Sequence, residues 1–450
     1  MELKEFIVAV DLGTSKIRGI VASKDISGSI IVHASEKEDS NGCIKRGLIQ
    51  NVDEAASKVK HLISKLEKIA KTKIGKIYIG VGGQSLISIN DRIEHQLNDD
   101  AQITEEIFDA VKQGCLKKTY PGKEILEVIP SNYIVDGKKI VQPIGVYGSE
   151  LTIDYTIILG KIAMMKNLKR MIEKLDVEIA GFLLSPLSAE FALSESEKML
   201  GCAFVNMGAG TTTLTIFKDC ILKYLVVIPL GGNTVTKDIT SLQLLEKDAE
   251  QLKIRYGNAF IDSGSNEDIV LKLQNSEGFD SPEVSKSKLS QVCSLRYEEI
   301  IENVINQIKL SGLDKQIPSG IIISGGASNI SGVVSLWKKK TDLDVKVGSF
   351  QRMVTSRSQV DLTKDSSFTT ILGLCCMTNN INCYKPEPEP EIAPVSTNDA
   401  LEKENTTSKD NDESIKKTQG KKSGFSFISK FVGDIFKDDG DEAEFNESNQ

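Results

Sequence analysis

Alternating apolar and polar residues predict two similar β-hairpins that lie far apart in the chain. Phe6 to Val10 reads as a strand and Ile17 to Val21 alternates like its hairpin partner, while a second strand-turn-strand begins at Cys202. After the first hairpin, a helical period predicts a helix with Asp53 as its N-cap. One face of this helix carries Ala55, Val59, Leu62, Leu66 and Ile69, and the segment IYIGVGG then returns as a strand. Strands that alternate with helices indicate an α/β fold.

The pattern changes between Gln84 and Ile162. Four short strands are expected there (LISIN, EILEVIP, YIVD and LTIDYTIIL), with a turn at Asp136-Gly137 and one helix opening at Thr104. We therefore expect a small α+β unit at 84–162, inserted into the first half of the chain.

Helices resume beyond this unit, and one more strand follows them. Helical periods are expected at Asn167 to Leu175, near Glu246 to Arg255 and at Lys288 to Leu310. A strand at Ile321 to Ile323 and a Gly325-Gly326 turn come next. The last predicted helix of the body turns Ile330, Val333, Val334 and Trp337 inward.

Composition changes abruptly after Tyr384. Residues 385–422 hold too few apolar groups to offset the entropy of ordering them, so we expect a disordered linker. Residues 423–437 then predict an amphipathic helix, followed by an acidic tail at 438–450. Its apolar half carries Phe425, Phe427, Ile428, Phe431, Val432, Ile435 and Phe436. The long polar tether favours binding to a membrane surface or a partner, and the alternative is a helix that docks back on the body.

Charge separates the body from the tail. The chain has 55 Lys and Arg against 63 Asp and Glu, and Pro386 to Gln450 alone holds 8 lysines and 16 acids. The remainder is neutral, which argues against nucleic-acid binding. The 8 cysteines form no CxxC pair, and the first residues carry only a five-residue apolar run before Asp11. We therefore expect reduced thiols, no signal peptide and a cytoplasmic protein.

Two glycine turns carry the candidate chemistry. VDLGTSK (10–16) and VNMGAGTTT (205–213) each follow a β run, and each is followed by more strand. Consecutive amides in such turns attract phosphate, and neither turn precedes a helix as a Walker or Rossmann loop would. Two facing hairpins that hold a phosphate chain fit better, although Gly-Thr turns are common in hairpins. The candidate residues are Gly13, Thr14, Ser15, Lys16, Gly208, Ala209, Gly210, Thr211 and Thr212.

Three further features complete a possible nucleotide site. Asp11 is placed to hold a hydrated Mg²⁺ beside the phosphates, and Lys16 to add a point charge. The turn at Gly325, Gly326 and Ala327 offers a flat backbone to a base and ribose. Glu250 and Lys253 share a helical face suited to ribose hydroxyls, and a solvated ion pair explains their spacing equally well.

Taken in order, these elements resemble the superfamily of actin, hexokinase and heat-shock chaperone ATPases. Within it, the chain is most similar to the FtsA family of bacterial cell-division proteins, over nearly its whole length. The resemblance is carried by AVDLGTSKIRGIVA, GCIKRGLIQNVDEA, GFLLSPLSAEFAL, VIPLGGNTVTKDI, DAEQLKIRYGNA, IIISGGAS and the tethered terminal helix.

The resemblance implies an α/β, actin-like duplicated ATPase fold with an α+β insert. The expected domains are a first half at 1–83 and 163–200, to which 365–384 returns, and the insert at 84–162. A second half at 201–364 is expected to include a helical subdomain at 233–310. The implied ligands are ATP and Mg²⁺. The implied partners are the C-terminal peptide of FtsZ, further copies in a filament, other division proteins and an anionic membrane surface at the division site.

Some positions depart from the superfamily pattern. Asn206 stands where many members carry Asp, and Ser185 where related filament ATPases often place an acid, although Glu190 is close in sequence. We therefore expect ATP binding with at most slow hydrolysis. For the FtsZ peptide, the resemblance directs attention to Arg296 and the helix that reaches Lys309.

Three rival functions share this fold. A sugar or acid kinase would have no use for a tethered amphipathic helix, and a chaperone ATPase would need a substrate domain after the adenosine turn. A pilus-assembly relative would share the body and the insert, and only the terminal helix argues against it.

Overall fold

The computed structural model describes residues 5–261, 269–272, 283–348, 350, 354–356, 362–379 and 381–385. The predicted linker beyond Lys385, the amphipathic helix at 423–437 and the acidic tail lie outside the described residues.

The described residues form strands and helices that are numbered here in chain order. The strands are β1 Ile7–Leu12, β2 Lys16–Lys24, β3 Ile30–Asp39, β4 Ile44–Lys45, β5 Leu48–Ile49, β6 Lys76–Val81, β7 Ile87–Gln102, β8 Lys123–Val135, β9 Lys138–Ile140, β10 Tyr147–Lys161, β11 Glu178–Leu184, β12 Cys202–Met207, β13 Thr212–Lys218, β14 Ile221–Ile228, β15 Val270–Lys272, β16 Glu283–Ser285, β17 Ile321–Ser324, β18 Val345–Val347 and β19 Val354–Ser356. The helices are α1 Val52–Ala70, α2 Glu105–Leu116, α3 Ile162–Ile172, α4 Glu195–Leu200, α5 Gly232–Ile239, α6 Glu246–Tyr256, α7 Lys286–Leu310, α8 Val333–Thr341 and α9 Thr369–Met377. A 3₁₀ segment covers Ser185–Ala192.

The two halves of the body share the same arrangement of strands, as the two predicted hairpins indicated. β1 pairs antiparallel with β2 and parallel with β6, and β12 pairs antiparallel with β13 and parallel with β17. The first sheet has the order β11-β6-β1-β2-β3-β19. In both sheets the glycine turns follow the carboxyl ends of parallel strands, the edge where open α/β sheets bind ligands.

The second sheet continues from the second half into the insert. Its order is β18-β17-β12-β13-β14-β7-β10-β8-β9, and β7 to β10 belong to the insert. At the junction, Val226 of β14 pairs with Ile87 of β7, and the Ser88 hydroxyl bonds both the N–H and the C=O of Leu225. The backbone pairing between β14 and β7 is therefore extended by hydrogen bonds from a side chain.

Separate hydrophobic cores support the second half and the insert. In the second half, α7 buries a face that includes Tyr297, Ile300 and Val304, and Trp337 of α8 is fully buried. In the insert, α2 covers the sheet through Val111 and Cys115. None of the helices within the described residues is both long enough and apolar enough to cross a lipid bilayer.

Two details of α1 differ from the sequence prediction. Asn51, not Asp53, is its N-cap, because Asn51 has extended backbone and its side chain accepts from the N–H of Glu54. Ile69, expected on the buried face, is 49% exposed at the last turn.

Other element boundaries also differ from expectation. EILEVIP and YIVD form one strand, β8, in which a bulge at Ser131 follows Pro130, a residue with no N–H for the ladder. α3 begins at Ile162, five residues earlier than expected. Ile330 precedes α8 rather than lying within it.

A close helix crossing generates a test of the fold. A Cβ at Gly373 of α9 would lie 2.5 Å from the carbonyl oxygen of Ser188. We expect Gly373→Ala to lower the free energy of unfolding by about 1–3 kcal/mol, because the backbones must separate. The matched control is Gly114→Ala in α2, where a Cβ meets nothing within 4 Å. This change should instead stabilise by about 0.5–1 kcal/mol, because Ala favours a helix interior. Chemical denaturation measures both, and equal effects would contradict the crossing.

Candidate functional site

The two glycine turns face each other across one cleft. A Cβ on Gly210 would lie 2.7 Å from the hydroxyl oxygen of Thr14, so the two turns are in direct contact range. The cleft encloses about 380 Å³. The predicted residues that line it are Asp11, Gly13, Thr14, Ser15, Lys16, Gly208, Ala209, Gly210, Thr211, Glu250, Lys253, Gly325, Gly326 and Ala327. Residues from distant parts of the sequence thus line the same cleft.

Local hydrogen bonds hold both turns in shape. The Ser40 hydroxyl donates to the carbonyl of Gly13 at 2.7 Å, and the N–H of Gly47 donates to the Thr14 hydroxyl at 3.1 Å. In the second turn, the N–H of Gly208 donates to the carbonyl of Thr211 at 2.8 Å. The Thr14 hydroxyl accepts in this network, so its own proton remains available to a ligand.

Thr212 is the one predicted phosphate-turn residue that does not line the cleft. It is fully buried, and its hydroxyl donates to the carbonyl of Leu230 at 2.9 Å. Alternation along β13 turns Thr211 and Thr213 toward the cleft and Thr212 away from it. Thr213 lines the cleft, although the sequence prediction did not include it.

Two cations follow the first turn, and they have different surroundings. The Lys16 ammonium is paired with Asp39, its cross-strand neighbour in β3. Arg18, two residues further along β2, also lines the cleft, with its guanidinium 5.5 Å from the centre of the Phe368 ring. Its buried Nε has no hydrogen-bond partner among the described residues. Sequence analysis overlooked Arg18, although spacing of two along a strand places it on the same face as Lys16.

The carboxylates near Arg18 set the electrostatics of the cleft. Burial raises the pKa of Asp11, while Arg18 and a hydrogen bond from Ser185 at 3.3 Å act in the opposite direction. Burial lowers the pKa of Arg18, and Asp11 and Asp365 partly offset this. The Arg18 guanidinium thus lies in the field of two carboxylates, yet it has no ion pair within 4 Å to a described residue.

No ready-made metal cage surrounds Asp11. Within the described ranges, three or more His, Cys, Asp or Glu side chains do not gather around any point. A cation beside Asp11 would therefore take most of its ligands from water and from a bound anion, which suits Mg²⁺.

The positions that depart from the superfamily pattern have defined partners. The Asn206 amide donates to the Thr370 hydroxyl of α9 at 2.8 Å, which a carboxylate cannot do. Ser185 lies beside Asp11, whereas Glu190 is paired with Lys198 at 3.4 Å and does not line the cleft. The acids of the described cleft lining are Asp11, Glu250 and Asp365.

Glu250 and Lys253 form a structural network rather than a solvated pair. The buried Lys253 ammonium donates to Glu250 at 2.6 Å, to the Thr236 hydroxyl at 2.8 Å and to the Gly232 carbonyl at 3.0 Å. An ammonium has three protons, so none remains for a ligand. Lys253 therefore positions Glu250, which is 40% exposed at the cleft, and the turn that begins α5.

The third glycine turn forms one wall of an apolar slot. Gly325 has φ +88°, a conformation that glycine adopts without strain, and Ala327 accepts a hydrogen bond from the buried Tyr297 hydroxyl at 2.7 Å. Ile254 and Ile330 line the same end of the cleft. Sequence analysis did not select Tyr297 or Ile254, since their helical spacing is that of ordinary core residues.

Known proteins match the chain over most of its length. A family model described as "Cell division protein FtsA" matches residues 203–373, and a model described as "SHS2 domain inserted in FTSA" matches residues 83–159. Cell division protein FtsA of Porphyromonas gingivalis is 34% identical over 335 residues, which are 73% of this chain and 70% of that protein. The Bacillus subtilis protein of the same name is 30% identical over 359 residues, 78% of this chain and 80% of its own.

The fold has a solved counterpart at low sequence identity. The structure titled "PilM-PilN type IV pilus biogenesis complex" superimposes with a TM-score of 0.58 at 14% identity, over 83% of this chain and 98% of that one. This likeness supports the fold alone, and the actin-like duplicated architecture with an α+β insert is confirmed. Because two relatives at or above 30% identity match most of the chain, the chain belongs to the FtsA family of bacterial cell-division proteins.

Proposed function

We propose that the chain is an ATP-binding cell-division protein that self-associates and tethers the FtsZ ring to the inner face of the cytoplasmic membrane. The observation that carries the nucleotide part is the direct approach of two glycine turns, Gly13–Lys16 and Gly208–Thr211, in one cleft with an apolar slot. Family membership supports the division role.

The cleft suits ATP from end to end. Backbone amides and the hydroxyls of Thr14 and Thr211 suit the phosphates, and Glu250 suits a ribose hydroxyl. The slot beside Ile254, Tyr297 and Ala327 offers apolar contact and a flat backbone to a base. Mg²⁺, held beside Asp11 through water, would neutralise phosphate charge.

Hydrolysis is expected to be slow. Efficient catalysis of water attack on phosphate needs a group that orients or deprotonates the water. Asn206 offers an amide that is already committed to Thr370, and Ser185 offers a hydroxyl committed to Asp11. We propose a nucleotide-binding protein in which ATP mainly controls assembly.

The FtsZ peptide is proposed to dock on the subdomain at 233–310. There, Arg296 of α7 bonds Asp238 of α5 and Glu299 beside a shallow depression of about 400 Å³. Leu295, 61% exposed, and the partly buried Val292 border it. Apolar and charged groups side by side suit a short peptide with both kinds of side chain.

Membrane attachment is proposed to depend on residues 423–437 and on assembly. Ordering a helix costs about 1–2 kcal/mol per residue, which cancels much of the gain from seven apolar side chains that sink only part way into the interface. The linker predicted from the sequence at 386–422 would reach roughly 30–35 Å. Neighbouring copies in a filament then present several helices to one bilayer, which strengthens binding by raising effective concentration.

Nucleotide binding is tested by comparing the two cations of β2. We expect Arg18→Gln to weaken ATP binding by at least tenfold, because a charged hydrogen bond to phosphate contributes about 1.5–3 kcal/mol. Lys16→Gln should weaken it less, since Asp39 already holds that ammonium. Isothermal titration calorimetry measures both affinities.

A variant at the other end of the cleft provides an independent check. A Cβ at Gly326 would meet only the Ser367 Cβ, at 3.5 Å, so Gly326→Val should fold normally and block the base. Unchanged ATP affinity in both Arg18→Gln and Gly326→Val would exclude this cleft as the site.

Asn206 provides a test of turnover. We expect the wild type to release phosphate below about 1 s⁻¹, at the slow end of enzyme rates, and Asn206→Asp to be faster because it restores a carboxylate. Asn206→Ala is the control, since it removes the amide without adding a charge. Steady-state phosphate release measures all three, and rapid wild-type turnover would favour a kinase of the same fold.

The terminal helix is tested by vesicle co-sedimentation over a range of protein concentrations. Phe431→Asp places a charge at the centre of the apolar half and should abolish binding, as should deletion after Lys422. Ser429→Asp, on the polar half, is the matched control. Binding that persists in Phe431→Asp, or that is equally tight at concentrations where the protein is monomeric, would contradict the proposal.

A further inference from the structure

The end of α1 and the turn after it form a basic segment. Residues 65–76 (KLEKIAKTKIGK) contain five lysines and one glutamate, in a body whose opposite charges balance overall. Three of these lysines have acidic partners: Lys65 pairs with Glu38, Lys73 with Glu67 and Lys76 with Glu178. Partners for the other two have to be sought elsewhere.

Lys68 and Lys71 are exposed and make no ion pair within 4 Å to a described residue. Lys68 lies in the last turn of α1, and Lys71 is the C-cap of the same helix, with left-handed backbone. Between them, the side chain of Ile69 is 49% exposed. Two unpaired positive charges therefore flank an apolar side chain that the fold does not bury.

The body ends beside this segment. The N–H of Cys383 donates to the carbonyl of Phe6 at 2.8 Å, and the N–H of Gly75 donates to the carbonyl of Cys383 at 2.8 Å. Tyr384 bridges to Ile74 and packs edge-on against Phe6. The chain thus remains fixed to the turn after α1 up to Tyr384, and the exposed Lys385 follows.

This exit lies at the sheet edge opposite the cleft. β1, β6 and β11 run parallel, and their carboxyl ends lead to Asp11, Gly82 and Ser185, which line the cleft. Their amino ends, at Phe6, Lys76 and Glu178, lie at the exit. A six-residue strand separates the two edges by roughly 20 Å.

We propose that Lys68, Ile69, Lys71 and Lys73, here named the basic exit surface, contact anionic lipid headgroups directly. The inference rests on the proposed attachment through 423–437, which brings the exit close to a bilayer. Lysines next to an anionic bilayer strengthen binding roughly fivefold each, and an exposed isoleucine can enter the interface.

A lipid surface fits these residues better than a protein partner does. Lysine ammoniums on flexible stems suit a fluid layer of headgroups, whereas recognition of a defined carboxylate or phosphate favours the planar fork of arginine. The contact orients the body, because it places the cleft on the side away from the membrane.

The test uses the full chain and co-sedimentation with two vesicle types, one of phosphatidylcholine and one with phosphatidylglycerol added. We expect Lys68→Gln/Lys71→Gln to lower the affinity for anionic vesicles by about tenfold or more, and to leave binding to neutral vesicles unchanged. The difference should shrink as salt rises. Lys138→Gln/Lys139→Gln on β9 of the insert is the matched control, with the same loss of charge from exposed positions, and it should bind like the wild type.

Each outcome decides one question. Equal binding of the Lys68/Lys71 variant and the wild type to anionic vesicles overturns the basic exit surface, even if Phe431→Asp abolishes binding. A loss that is equal on neutral vesicles, or equal in the Lys138/Lys139 control, also overturns it. Intact binding of Phe431→Asp instead overturns the terminal helix as the anchor. Because Lys68 and Lys71 are exposed, we expect the variant and the wild type to have the same thermal unfolding midpoint. Equal midpoints exclude misfolding as the cause of weaker binding.

Discussion

The site depends on backbone segments that approach each other more closely than side chains allow. Gly210 lies against Thr14, Gly231 against the carbonyls of Gly208 and Ala209, and Gly325 against the carbonyl of Met207. Two hairpins and one loop, drawn from both halves of the chain, meet only because these positions lack a Cβ. These contacts leave polar backbone groups facing the cleft. Such groups are available to bind an anionic ligand.

The charged side chains that line the cleft are not all paired with one another. Its described acids are spread from Asp11 through Asp365 to Glu250, and the arginine nearest them has no close ion pair. Such a cavity is poised for a ligand that brings both negative and positive charge, as a nucleotide with a divalent cation does. Asn206 contributes a neutral amide to this lining, where its N–H donates to Thr370.

Sequence analysis succeeded where the determinants are local. Glycine turns after alternating strands predicted both hairpins. A change in the spacing of apolar residues predicted the insert. It failed where partners lie far apart in the sequence. The sequence contains no sign that the Lys16 ammonium pairs with its cross-strand neighbour Asp39, or that Lys253 donates to Thr236 and Gly232. The helical period placed Ile69 on the buried face, but its exposure is set by tertiary packing at the end of α1, which the period does not encode.

The side-chain junction between β14 and β7 has a consequence for the design of shortened proteins. β14 is eight residues long, and its outer edge is covered by Ile87, Ser88 and Thr156 of the insert. A chain lacking the insert would present this edge, with its unpaired N–H and C=O groups and apolar side chains, to solvent. Such an edge recruits strands from other molecules. The insert therefore also serves as an edge cover, and aggregation is the first expected result of removing it.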